Sequence, residues 1–183
     1  AALRILFLPL NTLTGRIPAS LGSLSNLHTL DLSTNQLSGP IPVSLGNLSR
    51  LDGLYMYNNA LSHSLPASLG NLTSLTDLYV EHNVLTGSLP ESVGALTRLV
   101  NLDLYNNSFG GTLPPSLQQL TQLTFLGLDT NFFSGPIPTY VDQYTHTQLL
   151  TYTDCYLLDC TSSWAACRVG SCLQALVYSS YAA

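Results

Sequence analysis

Lysine is absent from this sequence, and charge of either sign is scarce. The five basic residues are all arginine, ten residues are acidic, and charged residues make up only 8% of the 183. In a globular protein, charged residues ordinarily make up about a quarter of the sequence. The polar surface of this protein must therefore consist mainly of serine, threonine, asparagine and tyrosine. Nucleic-acid binding needs a basic stripe that neutralises phosphates. With a net charge of −5 and no such stripe, we expect no nucleic-acid partner.

Long apolar runs are missing as well. No uninterrupted stretch reaches the roughly eighteen apolar residues of a membrane helix, so we expect no direct membrane span in this stretch. No basic and then apolar leader precedes the first leucines. That absence does not argue for the cytoplasm, because a leader is removed from a mature chain.

Motifs of catalysis are not present either. The sequence contains no Gly-x-Ser-x-Gly elbow and no phosphate-binding glycine loop. His82 follows Glu81 directly, but a surface histidine among acids is ordinarily just solvated. We therefore expect a protein that is not an enzyme, with no catalytic residue, no cofactor and no metal site.

Leucine recurs with a period of 24 residues, and this repeat organises the chain. Six copies follow one another without an insertion. Each copy reads Leu-x-x-Leu-x-Leu-x-x-Asn-x-Leu, which is the leucine-rich repeat signature. The copies begin at Leu3, Leu27, Leu51, Leu75, Leu99 and Leu123.

The signature has a physical basis at each position. Leu30 and Leu32 are two residues apart, so both point inward from a short strand, and Asp31 and Ser33 are predicted to point to solvent. At the end of the strand, an asparagine carboxamide satisfies buried backbone groups where the chain turns. We expect these asparagines to stack as a structural ladder rather than to bind a ligand. They are Asn11, Asn35, Asn59, Asn83, Asn107 and Asn131.

The second half of each copy, for example LSGPIPVSLGNL at 37–48, resembles the plant-type leucine-rich repeats. Such repeats occur in receptor kinases, polygalacturonase-inhibiting proteins and secreted algal and protist proteins, and the resemblance covers about residues 1–146. It implies an α/β solenoid, a right-handed superhelix with a parallel β-sheet on the concave face and short 3-10 or helical turns on the convex face. In that subclass the Gly-x-Ile-Pro segment adds a short second strand. The recurring prolines suit an edge position that needs no backbone donor.

Three positions depart from the repeat. His63 stands where the other copies have Gly15, Gly39, Gly87, Gly111 and Gly135, so the third copy must hold a non-glycine residue at a positive φ or bend locally. We interpret His63 as local strain and not as a ligand. Gln118 and Asp142 replace the later glycine of the repeat.

Residues 147–183 are predicted to form a degenerate seventh repeat followed by a terminal cap. Continuing the period places Leu150, Tyr152 and Cys155 at the second leucine, third leucine and asparagine positions. Cys160, Cys167 and Cys172 follow, with Trp164 among them, and resemble the caps of secreted algal and protist repeat proteins. Such a segment would close the apolar end of the stack.

The even number of cysteines indicates two disulfides and an oxidising compartment, with three possible connectivities. A zinc site is the alternative, although Cys-x4-Cys without an adjacent histidine is not the usual spacing. Three glycosylation sequons, at Asn47, Asn71 and Asn106, agree with a secreted or cell-surface protein.

The opposite end of the chain starts directly with a full repeat. Leu3, Leu6 and Leu8 have no preceding cap in the sequence, and an uncovered coil would expose its leucine-lined cross-section. We expect a cap from the same polypeptide, or another chain or a further copy, to cover it.

The concave face follows from the register of the strands. Tyrosines and acids concentrate there while the rest of the chain is nearly uncharged, and tyrosine is enriched in binding surfaces. The alternative is that cross-strand tyrosines merely stabilise the sheet. The predicted ligand-binding residues are Tyr55, Tyr57, Tyr79, Glu81, His82, Asp103, Tyr105 and Asp129, with Asp31 and Asp77 at the rim.

Two functions remain open from the sequence. The first is an extracellular recognition module that binds a protein, peptide or glycan on its concave face, as a receptor or an enzyme inhibitor. The second is a structural component of a matrix, wall or filament, in which copies pack through their ends and sides. Low charge and the uncapped end favour the second, and the concave tyrosines favour the first.

Overall fold

The computed structural model describes residues 3–135 and the backbone of residues 148–150. Two parallel sheets and a column of short 3-10 helices run along the solenoid, and each of the first five coils contributes one element to each layer. The seven-stranded concave sheet consists of β1 (Ile5–Phe7), β3 (Thr29–Asp31), β5 (Gly53–Tyr55), β7 (Asp77–Tyr79), β9 (Asn101–Asp103), β11 (Phe125–Gly127) and β13 (Gln148–Leu150).

A second sheet of six strands lies beside the first. Five of its six strands end at the repeat's glycine position, so they are formed by the residues just before the Gly-x-Ile-Pro segment and not, as expected, by that segment itself. The proline of the segment has no backbone N–H to donate to a ladder. They are β2 (Thr14–Gly15), β4 (Gln36–Gly39), β6 (Ala60–His63), β8 (Val84–Gly87), β10 (Ser108–Gly111) and β12 (Phe132–Phe133).

The predicted helical turns of the convex side are 3-10 helices of five residues each. Each begins after a proline whose φ is near the value that the ring imposes, for example −63° at Pro42. They are η1 (Ala19–Ser23), η2 (Val43–Asn47), η3 (Ala67–Asn71), η4 (Glu91–Ala95) and η5 (Pro115–Gln119). Within the described residues, no helix is long and apolar enough to cross a membrane.

The register of the concave sheet confirms the period read from the sequence. Leu54 pairs with Leu30 on one side and with Leu78 on the other, so equivalent leucines stack in a column. All three are completely buried. The core of the solenoid is therefore a stack of equivalent side chains from successive coils.

The seventh strand is present, but its predicted register is wrong by one residue. Leu149, not Leu150, pairs with Leu126, because the sixth coil is one residue shorter than the others between these strands. Tyr152, Trp164 and the four cysteines lie outside the described residues, as does Asp142.

The asparagine ladder forms as predicted. The carboxamide of Asn59 accepts the backbone N–H of Leu37 at 2.9 Å and donates to the carbonyl oxygen of Leu32 at 3.0 Å, both in the preceding coil. The same pattern repeats at Asn83, Asn107 and Asn131. Each carboxamide thus satisfies backbone groups that the turn would otherwise leave unpaired.

Asp31 and Ser33 are not exposed to solvent, which corrects the prediction from strand alternation. Both are buried, and the Ser33 hydroxyl donates to Asp31 Oδ1 at 2.6 Å. Asp31 pairs in register with Phe7 and Tyr55. A short side chain between two bulky neighbours is covered although it lies on the outer side of the strand.

His63 adopts the left-handed conformation that its glycine equivalents adopt. Its φ is +69°, against +77° at Gly39 and +78° at Gly87. The backbone of the third coil therefore follows the repeat at the cost of strain in a non-glycine residue, as the sequence indicated. The ring is exposed, and its Nδ1 lies 2.9 Å from the Ser62 hydroxyl.

The first coil leaves apolar side chains exposed, in agreement with the sequence. Leu3 is 45% exposed and Leu8 is 37% exposed. In the coils that follow, the corresponding leucines of the core are buried against neighbours on both sides.

Candidate functional site

Three neighbouring strands build the centre of the concave face. The last residue of each strand points outward, and the register places Tyr55 of β5 beside Tyr79 of β7, and Tyr79 beside Asp103 of β9. Because equivalent residues of parallel strands lie about 4.8 Å apart, these side chains form one continuous row. Tyr57, Glu81 and Tyr105 form a second row, two residues further along each coil.

Tyr55 and Tyr79 stack on each other. Their ring centroids are 5.5 Å apart and the ring planes differ by 20°, which is a favourable offset arrangement. The Tyr55 ring also folds back over Gly53, where an added Cβ would lie 2.7 Å from the ring edge. The absence of a side chain at Gly53 therefore leaves the space that the Tyr55 ring occupies.

Burial changes the acidity of both rings. It raises the pKa of the Tyr79 hydroxyl to about 12, with a smaller contribution from the negative charge of Asp77. Burial also raises the pKa of Tyr55, again with Asp77 as the next cause. Both hydroxyls therefore stay protonated at neutral pH and are available as hydrogen-bond donors.

Glu81 lies between Tyr57 and Tyr105 in the second row. Backbone hydrogen bonds hold this row together: the Asn58 N–H donates to the Glu81 carbonyl at 3.0 Å, and the His82 N–H donates to the Tyr105 carbonyl at 3.0 Å. Glu81 Oε2 is buried and has no hydrogen-bond partner among the described residues.

The environment of Glu81 favours its neutral form. Burial raises the pKa of its carboxyl to about 7, the charge of Asp103 adds to that rise, and the residue's own backbone N–H opposes it. A buried carboxylate oxygen without a donor is costly. Glu81 is thus the least satisfied polar group of the site.

His82 is held by two neighbours from the next coil. The Tyr105 ring meets it edge to face, with centroids 4.9 Å apart and planes at 89°. Asn106 Nδ2 lies 2.7 Å from His82 Nδ1, so the asparagine donates when that nitrogen is unprotonated. His82 and Asn106 both sit at a left-handed turn, with φ of +54° and +51°.

Asp103 leans into the space above Gly127. A Cβ at Gly127 would collide with Asp103 Oδ1, and the same oxygen accepts the Tyr105 N–H at 3.0 Å. Burial raises the pKa of the Asp103 carboxyl, while the Tyr105 N–H and nearby His82 lower it. The missing side chain at 127 therefore sets where this carboxylate lies.

The structure separates the predicted site residues into two groups. It brings Tyr55, Tyr57, Tyr79, Glu81, His82, Asp103 and Tyr105 together on three adjacent coils, and each is at least partly exposed. Asp129 is only 9% exposed, so it offers little surface to a ligand. Within the residues 3–135, no three His, Cys, Asp or Glu side chains are grouped to hold a metal ion.

Asp77 at the rim is already satisfied. The Thr76 hydroxyl donates to its Oδ2 at 2.7 Å, and Asn101 Nδ2 donates to its Oδ1 at 2.6 Å. Sequence reasoning did not foresee the roles of Gly53, Gly127 and Asn106. The signal available for the glycines was their position on strands, where other coils carry side chains.

The three sequon asparagines lie on different sides of the solenoid. Asn47 and Asn71 are exposed and end η2 and η3 at equivalent positions of successive coils on the convex side. Asn106 lies at the edge of the concave site and contacts His82. A glycan at either of the first two positions would leave the concave face open.

Comparison with known families identifies the repeat. The family model described as Leucine Rich Repeat matches residues 26–48, 50–72, 74–96 and 98–120. No curated protein matches the chain by sequence.

Similar solved structures come from plant receptors. One is the ectodomain of the plant membrane receptor kinase GASSHO1/SCHENGEN3 from Arabidopsis thaliana, solved in complex with CASPARIAN STRIP INTEGRITY FACTOR 2. It is 37% identical to this chain, with a TM-score of 0.74. The match covers 77% of this chain and 17% of the GASSHO1 chain. Another is the Arabidopsis receptor kinase HAESA, solved in complex with the peptide hormone IDA and the co-receptor SERK1. It is 32% identical to this chain, with a TM-score of 0.78, and the match covers 86% of this chain and 27% of the HAESA chain.

A shorter ectodomain is matched over most of its length. That of the receptor kinase SOBIR1 from Arabidopsis thaliana is 33% identical with a TM-score of 0.68, over 73% of this chain and 72% of that one. The chain spans less than a third of the GASSHO1 and HAESA chains. The repeat, the two parallel sheets and these likenesses agree, and the chain belongs to the leucine-rich repeat family, in its plant type.

Proposed function

We propose that this chain is an extracellular recognition module that binds a peptide or protein segment along its concave face, and that it is not an enzyme. The observation that carries the proposal is the stacked pair Tyr55 and Tyr79, continued by Tyr57 and Tyr105 on the same face. We call these four residues the tyrosine cluster. Tyrosine supplies a large rigid contact area and a hydroxyl at low entropic cost.

The geometry supports an extended ligand. The two rows run across adjacent coils, and the partly exposed rings offer flat faces beside hydrogen-bonding groups. Protonated hydroxyls on Tyr55 and Tyr79 can donate to peptide carbonyls. A ligand lying across several coils would therefore meet apolar surface and polar groups at regular intervals.

The relatives support the same class of function. HAESA was solved with a peptide hormone and a co-receptor, and the SOBIR1 structure is the ectodomain of a receptor kinase. On this basis the chain would act outside the cell. Glycans at Asn47 and Asn71 on the convex side, and disulfides among Cys155, Cys160, Cys167 and Cys172, are further proposals that suit that location.

A ligand screen with matched variants tests the proposal. Peptides from a random display library, selected on the whole chain, are compared on the natural protein and on Tyr55→Ala/Tyr79→Ala/Tyr105→Ala. We expect the variant to lose binding and to retain a cooperative thermal transition. Phe132→Ala is the control, because Phe132 is an exposed aromatic residue of the second sheet, 62% exposed, outside the site.

Unchanged binding by the triple variant would reject the concave site. A glycan array run on the same proteins distinguishes a sugar ligand, since binding of glycans and not of peptides would contradict the peptide class. Sedimentation of the natural protein tests the assembly alternative, which predicts polymers in place of a single species.

A further inference from the structure

The three segments at the centre of the concave face carry acidic side chains and neither lysine nor arginine. The segments 53–58, 77–82 and 101–106 contain Asp77, Glu81 and Asp103, and no lysine or arginine. The nearest arginines in sequence, Arg50 and Arg98, each lie three residues before one of these segments and are exposed. Arg50 donates through its guanidinium to the Asn26 side chain at 2.6 Å. A ligand that supplied a positive group would therefore meet uncompensated charge in this hollow.

Glu81 differs from the other acids of this surface. Both oxygens of Asp77 accept hydrogen bonds, and Asp103 accepts the N–H of Tyr105. Glu81 has its own backbone N–H as a partner, but its Oε2 has no donor. The residue is only half-buried, so a ligand would reach that oxygen through a change in the side-chain torsions.

Aromatic groups flank Glu81 on both sides. Tyr57 and Tyr105 occupy the equivalent positions of the preceding and following coils, and the Tyr105 ring is oriented by its edge-to-face contact with His82. The face of a tyrosine ring attracts cations. Two independent features, an unpaired carboxylate oxygen and neighbouring aromatic faces, therefore favour the same kind of ligand group.

We infer that the peptide ligand presents a guanidinium or ammonium group, from arginine or lysine, which binds Glu81 between Tyr57 and Tyr105. This inference rests on the proposed function and specifies the chemistry of its ligand. The aliphatic stem of the ligand side chain packs along the tyrosine rings, and its charged end donates to the Glu81 carboxylate.

Binding of a cation is coupled to the protonation of Glu81. The titratable groups around it are Asp103, His82, Tyr57, Tyr79 and Tyr105. Because the pKa of Glu81 is raised to about 7 and the cation favours the ionised form, affinity increases as the pH rises through about 7 and binding releases a proton. A variant at Glu81 isolates the contribution of its carboxylate to this pH dependence.

The inference is tested by changing the selected peptides and, separately, by changing Glu81 in the protein. Peptides whose binding depends on the tyrosine cluster are synthesised again with each arginine replaced by citrulline and each lysine by norleucine. We expect one such replacement to weaken binding at least tenfold, which is about 1.4 kcal/mol. Glu81→Gln should cause a similar loss and flatten the pH dependence, whereas Glu91→Gln, an exposed acid on η4, should cause none.

The outcomes separate this inference from the proposed function. Peptides that depend on the tyrosine cluster could bind equally well after the neutral replacement and bind Glu81→Gln as tightly as the natural protein. That result would contradict the inferred cationic group of the ligand and leave the proposed recognition function intact. If binding of no selected peptide depends on the tyrosine cluster, the proposed recognition function and the inferred cationic ligand group are both rejected. The replacement on the ligand side leaves the protein untouched, so misfolding of the variant cannot account for its result.

Discussion

The carboxamide oxygen of Asn83 accepts the backbone N–H of Leu61 at 2.9 Å, and its Nδ2 donates to the carbonyl oxygen of Met56 at 3.0 Å. Both partners belong to the preceding coil, and the same Nδ2 also bonds to Val80 in its own coil at 3.0 Å. One buried side chain therefore links two coils and turns the chain between the two sheets. This arrangement makes the asparagine ladder the first target for stability measurements.

Asn83→Ala should lower the free energy of unfolding by about 3 kcal/mol. The variant leaves buried backbone donors and acceptors without partners, each worth about 1–3 kcal/mol. Urea denaturation followed by circular dichroism measures the loss. Asn11→Ala is the matched control, since Asn11 is exposed in the first coil and, among the described residues, its carboxamide donates only within that coil, to the carbonyl oxygens of Leu8 and Pro9. Equal losses in the two variants would contradict the ladder.

Gly70→Ala should destabilise the solenoid by about 2 kcal/mol. A Cβ at Gly70 would collide with the Ser92 carbonyl and lie 2.6 Å from Ser92 Cβ in the next 3-10 helix, and overpacking of this kind costs about 1–3 kcal/mol. Gly110→Ala is the control, because its nearest new contact is 3.5 Å away, at the Phe132 carbonyl. Thermal melts that rank the two variants in the opposite order would show that the coils are not packed as described.

His63→Gly should raise the free energy of unfolding by about 1 kcal/mol. The φ of +69° at His63 is a conformation that glycine adopts without strain. Ser62→Gly, one residue earlier, relieves no positive φ and should be neutral or destabilising. The urea midpoint of His63→Gly tests the interpretation of this residue as strained, and a lower midpoint than that of the natural protein would oppose it.

Stability should decrease as the pH rises from about 4.5 to 7. Over this range folded Glu81, whose pKa is raised from 4.5 to about 7, retains a proton that the unfolded chain releases. The stabilising effect is therefore complete below the unfolded value and lost as the pH passes the folded one. Urea midpoints measured across this range should decline less steeply for Glu81→Gln than for the natural protein.

Glu91→Gln supplies the control for the pH series. Glu91 lies on η4 away from the concave face, so its variant should keep the natural slope. A slope that is identical in the natural protein and in Glu81→Gln would mean that Glu81 titrates as an ordinary surface carboxyl.

The repeat explains why so much of the fold could be predicted. Leu30, Leu54 and Leu78 occupy the same place in successive coils, and a 24-residue period leaves little choice but to stack them. The same reasoning located the outward positions of Tyr55 and Tyr79. The error at Leu150 arose where the period itself changes by one residue, which a degenerate stretch does not reveal.

Other features depend on contacts between coils. The burial of Asp31 beside Tyr55, the room that Gly53 leaves for a tyrosine ring and the contact of Asn106 with His82 involve side-chain torsions and volumes of neighbouring residues. Strand alternation says which way a side chain leaves the backbone. It does not say what covers the side chain afterwards.

The amino-acid sequence by itself determined the solenoid, its core and the face on which each residue lies, because these follow from the spacing of leucines, asparagines and prolines. Only the tertiary structure decided which of the concave groups stay accessible and which are satisfied: Asp77 is fully bonded, whereas Glu81 keeps an oxygen without a donor. The physical reason is that hydrogen bonding and burial are settled between residues one coil apart, where small differences in side-chain size and torsion determine the contacts.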